Sequence, residues 1–267
     1  MIEAVGEGVQ GFAPGDRVTL LLGATAGKGT WAELAAVPAA TVVPTPPGLS
    51  DAQAGALWVN YLSVWVMAVE VLKLGAGDAL LQTAAGSQLG RAMIELARAR
   101  GFTLINVVRR REQVAELQAL GAGHVLCSAD EDVPARAREL TGGRGVGAAI
   151  DPVGGATGAQ AIAALSAGGT ALLFGALAAE PVPVDPGLLL FRELTVRGFW
   201  LTRWLGKTPP ERVRAAVGSV LGLVESGAFR PAVDRTFPLA EIGAAVRHAE
   251  TPGCRGAVVL LDEPAVG

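Results

Sequence analysis

Through the middle of this chain, short apolar runs alternate with stretches in which apolar residues return every three or four positions. The short runs fall at 79–84, 103–108, 124–127, 147–151, 170–174 and 194–200, and the helical spacing at 88–100, 111–120, 133–140 and 156–166. Runs of the first kind predict strands and the second kind amphipathic helices. Strands alternating with helices of this length predict a parallel sheet covered on both faces, the doubly wound α/β class. The flanks read differently. Residues 1–50 carry the β-prone runs RVTLLL, TWAELAAV and TVVPTP, with turn sequences at 13–16 and 44–48, and predict small antiparallel strands. Residues 51–75 start at Ser50-Asp51 and run apolar to Gly75, a connecting helix or helix pair. Residues 209–227 place Val213, Val217, Val220, Leu221 and Val224 at helical spacing. A short helix at 239–249 then separates VDRTFP from AVVLLD, and these two runs supply strands to the N-terminal β region. The expected domains are 1–61, 62–203 and a returning segment, 204–267.

Composition sharpens this reading. A hydrophobic fraction of 51%, with 36 glycines and 18% charged residues, suits buried parallel strands that are apolar on both faces. A formal charge of -3 argues against a general nucleic-acid binder. Two cysteines, Cys127 and Cys254, make neither a disulfide framework nor a four-cysteine zinc site, and free thiols point to a reducing, cytoplasmic setting. The opening MIEAVGEGVQGF has no signal-peptide pattern. The apolar stretch Ala54 to Val69 contains Asn60, Tyr61 and Ser63 and falls short of the ~20 residues of a membrane span, so a buried helix is expected.

The candidate chemistry lies at 78–111. The turn Ala85-Gly86-Ser87-Gln88-Leu89-Gly90 is a loose GxGxxG, a weak signal alone. It gains from the strand before it and from a helix after it with Leu89, Ala92, Met93, Leu96 and Ala97 on one face. Backbone N–H groups around Gln88 to Gly90 are expected to point, unpaired, at a pyrophosphate, aided by the helix dipole. Gly90 lets helix and sheet approach closely. The next strand ends in Arg109-Arg110-Arg111, where a cofactor without a 2′-phosphate calls for Asp or Glu. Guanidinium groups bind phosphate in a forked geometry, so NADPH is expected over NADH.

At these residues the chain resembles a known family. INVVRRR, GAGHVL and GFWLTRW resemble the mitochondrial-type 2-enoyl thioester reductases, zinc-independent members of the medium-chain dehydrogenase/reductase superfamily. EAVGEGVQGFAPGDRV is similar to the superfamily's GroES-like catalytic domain, and GTWAELAAV and WVNYLSVW follow in the expected order. The resemblance implies a Rossmann doubly wound sheet plus an incomplete GroES-like β domain. It implies cofactor contacts at Asn60, at Phe174, Gly175, Ala176 and Leu177, and at Phe199, Trp200 and Leu201. Trp31 and Trp200 are the candidate substrate-pocket residues, although core packing explains Trp200 as readily. Two positions depart from the family: its phosphate-loop asparagine is Gly86, and its C-terminal lysine is Ala257, with Arg255 close by. The family's proton-donating tyrosine is expected upstream of Met1, so the chain reads as N-terminally truncated and its catalytic residue as unassigned. Tyr61 is not given that role.

The implied reaction is hydride transfer from NADPH to the β-carbon of a 2-enoyl thioester. An NADPH:quinone oxidoreductase of the same superfamily is the alternative, and a non-catalytic NADPH-binding protein a third reading. An apolar edge strand at 194–200 implies a homodimer. No metal site is expected: His124 begins a strand, His248 lies late in a helix, and neither stands at ligand spacing from a cysteine.

Overall fold

The computed structural model describes residues 1–21, 29–251, 254 and 256–261. The chain forms two compact units, Met1–Leu62 with Pro210–Gly267, and Ser63–Pro209. The first opens with β1 (Val18–Leu20), antiparallel to β2 (Val42–Pro44). The expected strand in TWAELAAV does not form. Trp31 and Leu34 are 67% and 72% exposed, so no face of that run is buried, and a strand without a covered face has little to hold it.

Helix α1 (Asp51–Gly55) starts with a capping box between Ser50 and Gln53. The Arg17 guanidinium donates to Asp51 and to the Leu49 carbonyl, fixing the start of β1 beside that of α1. In α2 (Trp58–Trp65), the Trp58 indole N–H donates to the Thr19 hydroxyl at 2.7 Å, which donates to the Val43 carbonyl at 3.2 Å. A buried indole N–H needs such a partner. The helix runs on as a π-helical stretch, Val66–Val71. Val64, Val66, Met67 and Ala68 are fully buried, as expected of this apolar run.

The larger unit is built on β3 (Ala79–Gln82), β4 (Thr103–Val108), β5 (His124–Cys127), β6 (Val146–Asp151), β7 (Leu165–Leu173) and β8 (Thr195–Gly198). All pair in parallel, in the order β5-β4-β3-β6-β7-β8. This is the doubly wound order, with its topological switch between β3 and β6. Between the strands lie α3 (Gln88–Arg100), α4 (Glu112–Ala119), α5 (Val133–Leu140), α6 (Gly155–Ala163) and α7 (Pro186–Arg192). Leu81, Ile105, Val107, Leu126, Ala149 and Ala171 form one buried cluster with Val133 and Ala137 of α5 and Ala161 and Ile162 of α6. Alternation sends Leu80, Gln82 and Asn106 to the opposite face. There the Gln82 amide donates to the Gly90 carbonyl at 2.9 Å and to Asn106 Oδ1 at 2.7 Å, while Asn106 donates to the His124 carbonyl. These bonds tie α3, β3, β4 and β5 together beneath the candidate turn.

The expected apolar strand at 194–200 is shorter and more polar in the structure. β8 reads Thr-Val-Arg-Gly and only Val196 is part-buried, because it forms the open edge of the sheet. It is followed by α8 (Leu201–Lys207), which the sequence did not announce.

The first unit is completed by α9 (Pro210–Glu225), β9 (Val233–Pro238), α10 (Ile242–Ala249) and β10 (Ala257–Leu261). β10 pairs with β9 in parallel rather than with β1 or β2. Phe229 is 1% exposed, and Tyr61 meets its ring edge-on at 4.8 Å.

Candidate functional site

The turn after β3 is shaped by close backbone approach. Ala84 takes a left-handed φ of 48°, and the Ala85 N–H donates to the Val107 carbonyl at 3.1 Å, laying the turn against the end of β4. A Cβ on Gly90 would stand 2.4 Å from the Ala85 carbonyl oxygen and 2.7 Å from its Cα, so the first turn of α3 reaches this position only with glycine. At Gly86 the obstacle is softer, the tip of the Gln113 side chain. Ser87 caps α3, and its hydroxyl accepts from the Gly90 N–H at 3.1 Å. This corrects the expectation that the amides from Gln88 to Gly90 are all unpaired: the serine cap takes the last of them. The helix still directs its positive dipole end at the turn, and the first-turn amides precede the capped one.

Arg109, Arg110 and Arg111 follow β4 directly and are all exposed. Arg111 is held by Asp130 at 2.7 Å, which supplies an anion for one of the three. Arg109 and Arg110 make no ion pair among the described residues, and they precede α4, whose N-terminus has no side-chain cap. Cations placed there oppose the helix dipole unless an anion joins them.

The remaining expected segments also lie at carboxyl ends of strands. Phe174, Gly175, Ala176 and Leu177 leave β7 and run beside the loop after β6: Leu177 donates to the Pro152 carbonyl at 3.1 Å. A Cβ on Gly175 would stand 2.6 Å from that oxygen. Phe199 donates to the Leu173 carbonyl at 2.8 Å, placing it next to this segment. Trp200 is 69% exposed, which excludes the core-packing reading, whereas Leu201 is buried as the first residue of α8. Trp31 and Asn60 belong to the other unit; Trp31 is exposed and Asn60 is part-buried in α2. Tyr61 is 2% exposed, its ring packed in the core. Arg255 lies outside the described residues.

Two contributors carried no motif in the sequence. Arg91 donates to the Gly86 carbonyl at 3.1 Å and is ion-paired with Glu116 of α4, so it braces the turn from below. Asp151, 1% exposed at the end of β6, accepts from the Thr83 hydroxyl and from the Gly154 N–H at 2.7 Å. It joins the ends of β3 and β6 at the switch point. Only their partners identify them, and Glu116 and Thr83 among these come from distant sequence. The donor set fits a dinucleotide with an extra phosphate: a helix N-terminus at a turn of small residues, then two exposed guanidinium groups just after the adjacent strand.

Comparison with known proteins shows the family and the fold. The family described as zinc-binding dehydrogenase matches residues 89–220. The mitochondrial enoyl-[acyl-carrier-protein] reductase of Homo sapiens is 30% identical over 255 residues, covering 94% of this chain and 68% of the relative. An NADPH:quinone reductase structure from Bacillus thuringiensis superimposes with a TM-score of 0.87 at 31% identity, covering 96% of this chain and 76% of that one. A mycobacterial protein solved with NADPH gives 0.84 at 30% identity, covering 97% and 79%. The expectation of a cytoplasmic protein is corrected here, since the enoyl reductases of human, Arabidopsis thaliana and Dictyostelium discoideum are all named mitochondrial. Free thiols argue against an oxidising compartment but do not distinguish one reducing compartment from another.

Proposed function

Because the chain belongs to the zinc-independent branch of the medium-chain dehydrogenase/reductase superfamily, we propose that it is an NADPH-dependent reductase of conjugated carbonyl compounds, with a quinone as its substrate. The observation that carries this reading is the likeness to the Bacillus thuringiensis NADPH:quinone reductase across 96% of the chain. The turn Gly86 to Gly90 and the N-terminus of α3 hold the pyrophosphate. Arg109 and Arg110 hold the 2′-phosphate, with Arg111 behind them on Asp130. Phe174 to Leu177 and Phe199 to Leu201 border the nicotinamide end. The bound cofactor supplies the hydride; the protein supplies orientation and electrostatics. The quinone takes up one hydride and one proton to become the hydroquinone. Its oxygens are open to solvent protons, so the reaction needs no dedicated side-chain acid. Trp200 offers an exposed indole face to a flat ring.

A second reading, reduction of a 2-enoyl thioester, is favoured by the 30% identity with the human enoyl reductase. There the hydride goes to the β-carbon, the thioester oxygen is polarised as the enolate develops, and a proton must reach the α-carbon. The two readings separate when NADPH consumption is followed with a naphthoquinone and with a crotonyl thioester. The quinone is expected to be consumed faster. Faster turnover of the thioester favours the second reading, and no consumption with either overturns the reductase assignment.

We also propose a homodimer joined along β8. Its outer edge pairs with no strand among the described residues, and the preceding α7 leaves Leu190 and Phe191 70% and 85% exposed. Open edges and exposed apolar patches are usually covered. Light scattering is expected to give twice the chain mass at micromolar concentration; a stable, soluble monomer contradicts the dimer.

A further inference from the structure

We propose that Asp234, His248 and Cys254 form a binding site for a borderline divalent cation of the zinc class, separate from the cofactor-binding turn. Their ligand atoms all lie within 4.8 Å of one another, the one such group among the described residues. They come from three segments: Asp234 from β9, His248 from the last turn of α10, and Cys254 from the approach to β10. All three belong to the unit that does not contain the turn.

The backbone holds these donors together. The Ala257 N–H donates to the Ala232 carbonyl at 2.9 Å, and a Cβ on Gly256 would stand 2.6 Å from the Asp234 nitrogen. Gly256, two residues after Cys254, is thus pressed against Asp234. His248 Nε2 lies 2.6 Å from Asp234 Oδ2, and its ring centroid is 5.7 Å from that of Phe237, so its orientation is set from two sides.

The mixture of donors selects the ion. One oxygen, one nitrogen and one sulfur suit zinc, whereas calcium and magnesium favour all-oxygen sets. Bonds of about 2.0–2.3 Å in a tetrahedron put ligand atoms about 3.3–3.7 Å apart, so side-chain rotation that opens the His–Asp contact admits the ion. Three protein ligands leave the fourth position to water. The His248 and Asp234 side chains are 28% and 22% exposed, which gives the ion a path from solvent. On binding, the thiol proton is released and the thiolate becomes a ligand. The ion then fastens α10 and the start of β10 to β9. Sequence spacing concealed the site, because its first member lies fourteen residues before its second, on a strand.

The test uses the full chain, stripped with a chelator and titrated with cobalt(II). One equivalent is expected to produce a thiolate-to-cobalt charge-transfer band, displaced by zinc, and zinc is expected to raise the thermal midpoint. Cys254→Ser and His248→Gln are expected to lose both responses, and Cys127→Ser to keep them. Circular dichroism and the thermal transition without metal report that each variant is folded. Absence of the band in the original chain, or its persistence in Cys254→Ser, overturns the proposal.

Discussion

Replacing Arg109 and Arg110 together with alanine weakens NADPH binding by roughly 10²-fold or more and leaves NADH binding nearly unchanged. Each charge-assisted contact to phosphate is worth about 1.5–3 kcal/mol, so the loss of two such contacts accumulates. The comparison with NADH isolates the 2′-phosphate, since the rest of the cofactor is the same. Arg111→Ala is expected to act far more weakly. Its guanidinium is engaged with Asp130 on the surface, and surface pairs of this kind are worth about 0–1 kcal/mol. Fluorescence titration of the single and double variants with both cofactors measures this. An equal loss for NADH and NADPH places the arginines elsewhere than at the 2′-phosphate.

Gly90→Val is expected to abolish cofactor binding and to destabilise the larger unit by about 1–3 kcal/mol, the range for forced overpacking. The added Cβ would meet backbone, the Ala85 carbonyl oxygen at 2.4 Å, and backbone cannot swing aside as a side-chain tip does. The first turn of α3 must then move off the sheet. That displaces the Gly90 carbonyl from the buried Gln82 amide and the Gly90 N–H from the Ser87 cap. An orphaned buried amide adds its own desolvation cost. Gly86→Ala is the contrast, because there only the end of Gln113 stands in the way. Thermal melts with and without NADPH are expected to show a lower midpoint and no ligand-induced rise for Gly90→Val, and a smaller change for Gly86→Ala. A Gly90→Val protein that still gains stability from NADPH contradicts the close-approach argument.

The sheet was legible because its central strands are buried on both faces. Thr103 to Val108 and His124 to Cys127 are short apolar runs between helices of clear period, and they occupy the expected positions. The run TWAELAAV has the composition of a strand, but no partner covers it among the described residues, and a local pattern does not reveal whether one exists. β8 was expected to be more apolar than it is, because an edge strand is exposed and tolerates Thr195 and Arg197. At the site, Gly90 and the arginines were legible from their place between strand and helix. The serine cap that takes the Gly90 amide, the Arg91 brace on Gly86, and the Asp151 link to Thr83 were not. Each depends on the direction of a side chain, and in the last case on a neighbour 68 positions away. Asp234, His248 and Cys254 were illegible for the same reason: a parallel strand pair brings them together, whereas metal motifs are recognised by short spacing.

The central claim, that the turn after β3 and the arginines after β4 form one NADPH site, is tested most directly by titrating the unaltered chain with NADPH and NADH side by side. The predicted result is one site per chain with markedly tighter binding of NADPH. Equal affinity for the two, or a preference for NADH, would contradict it.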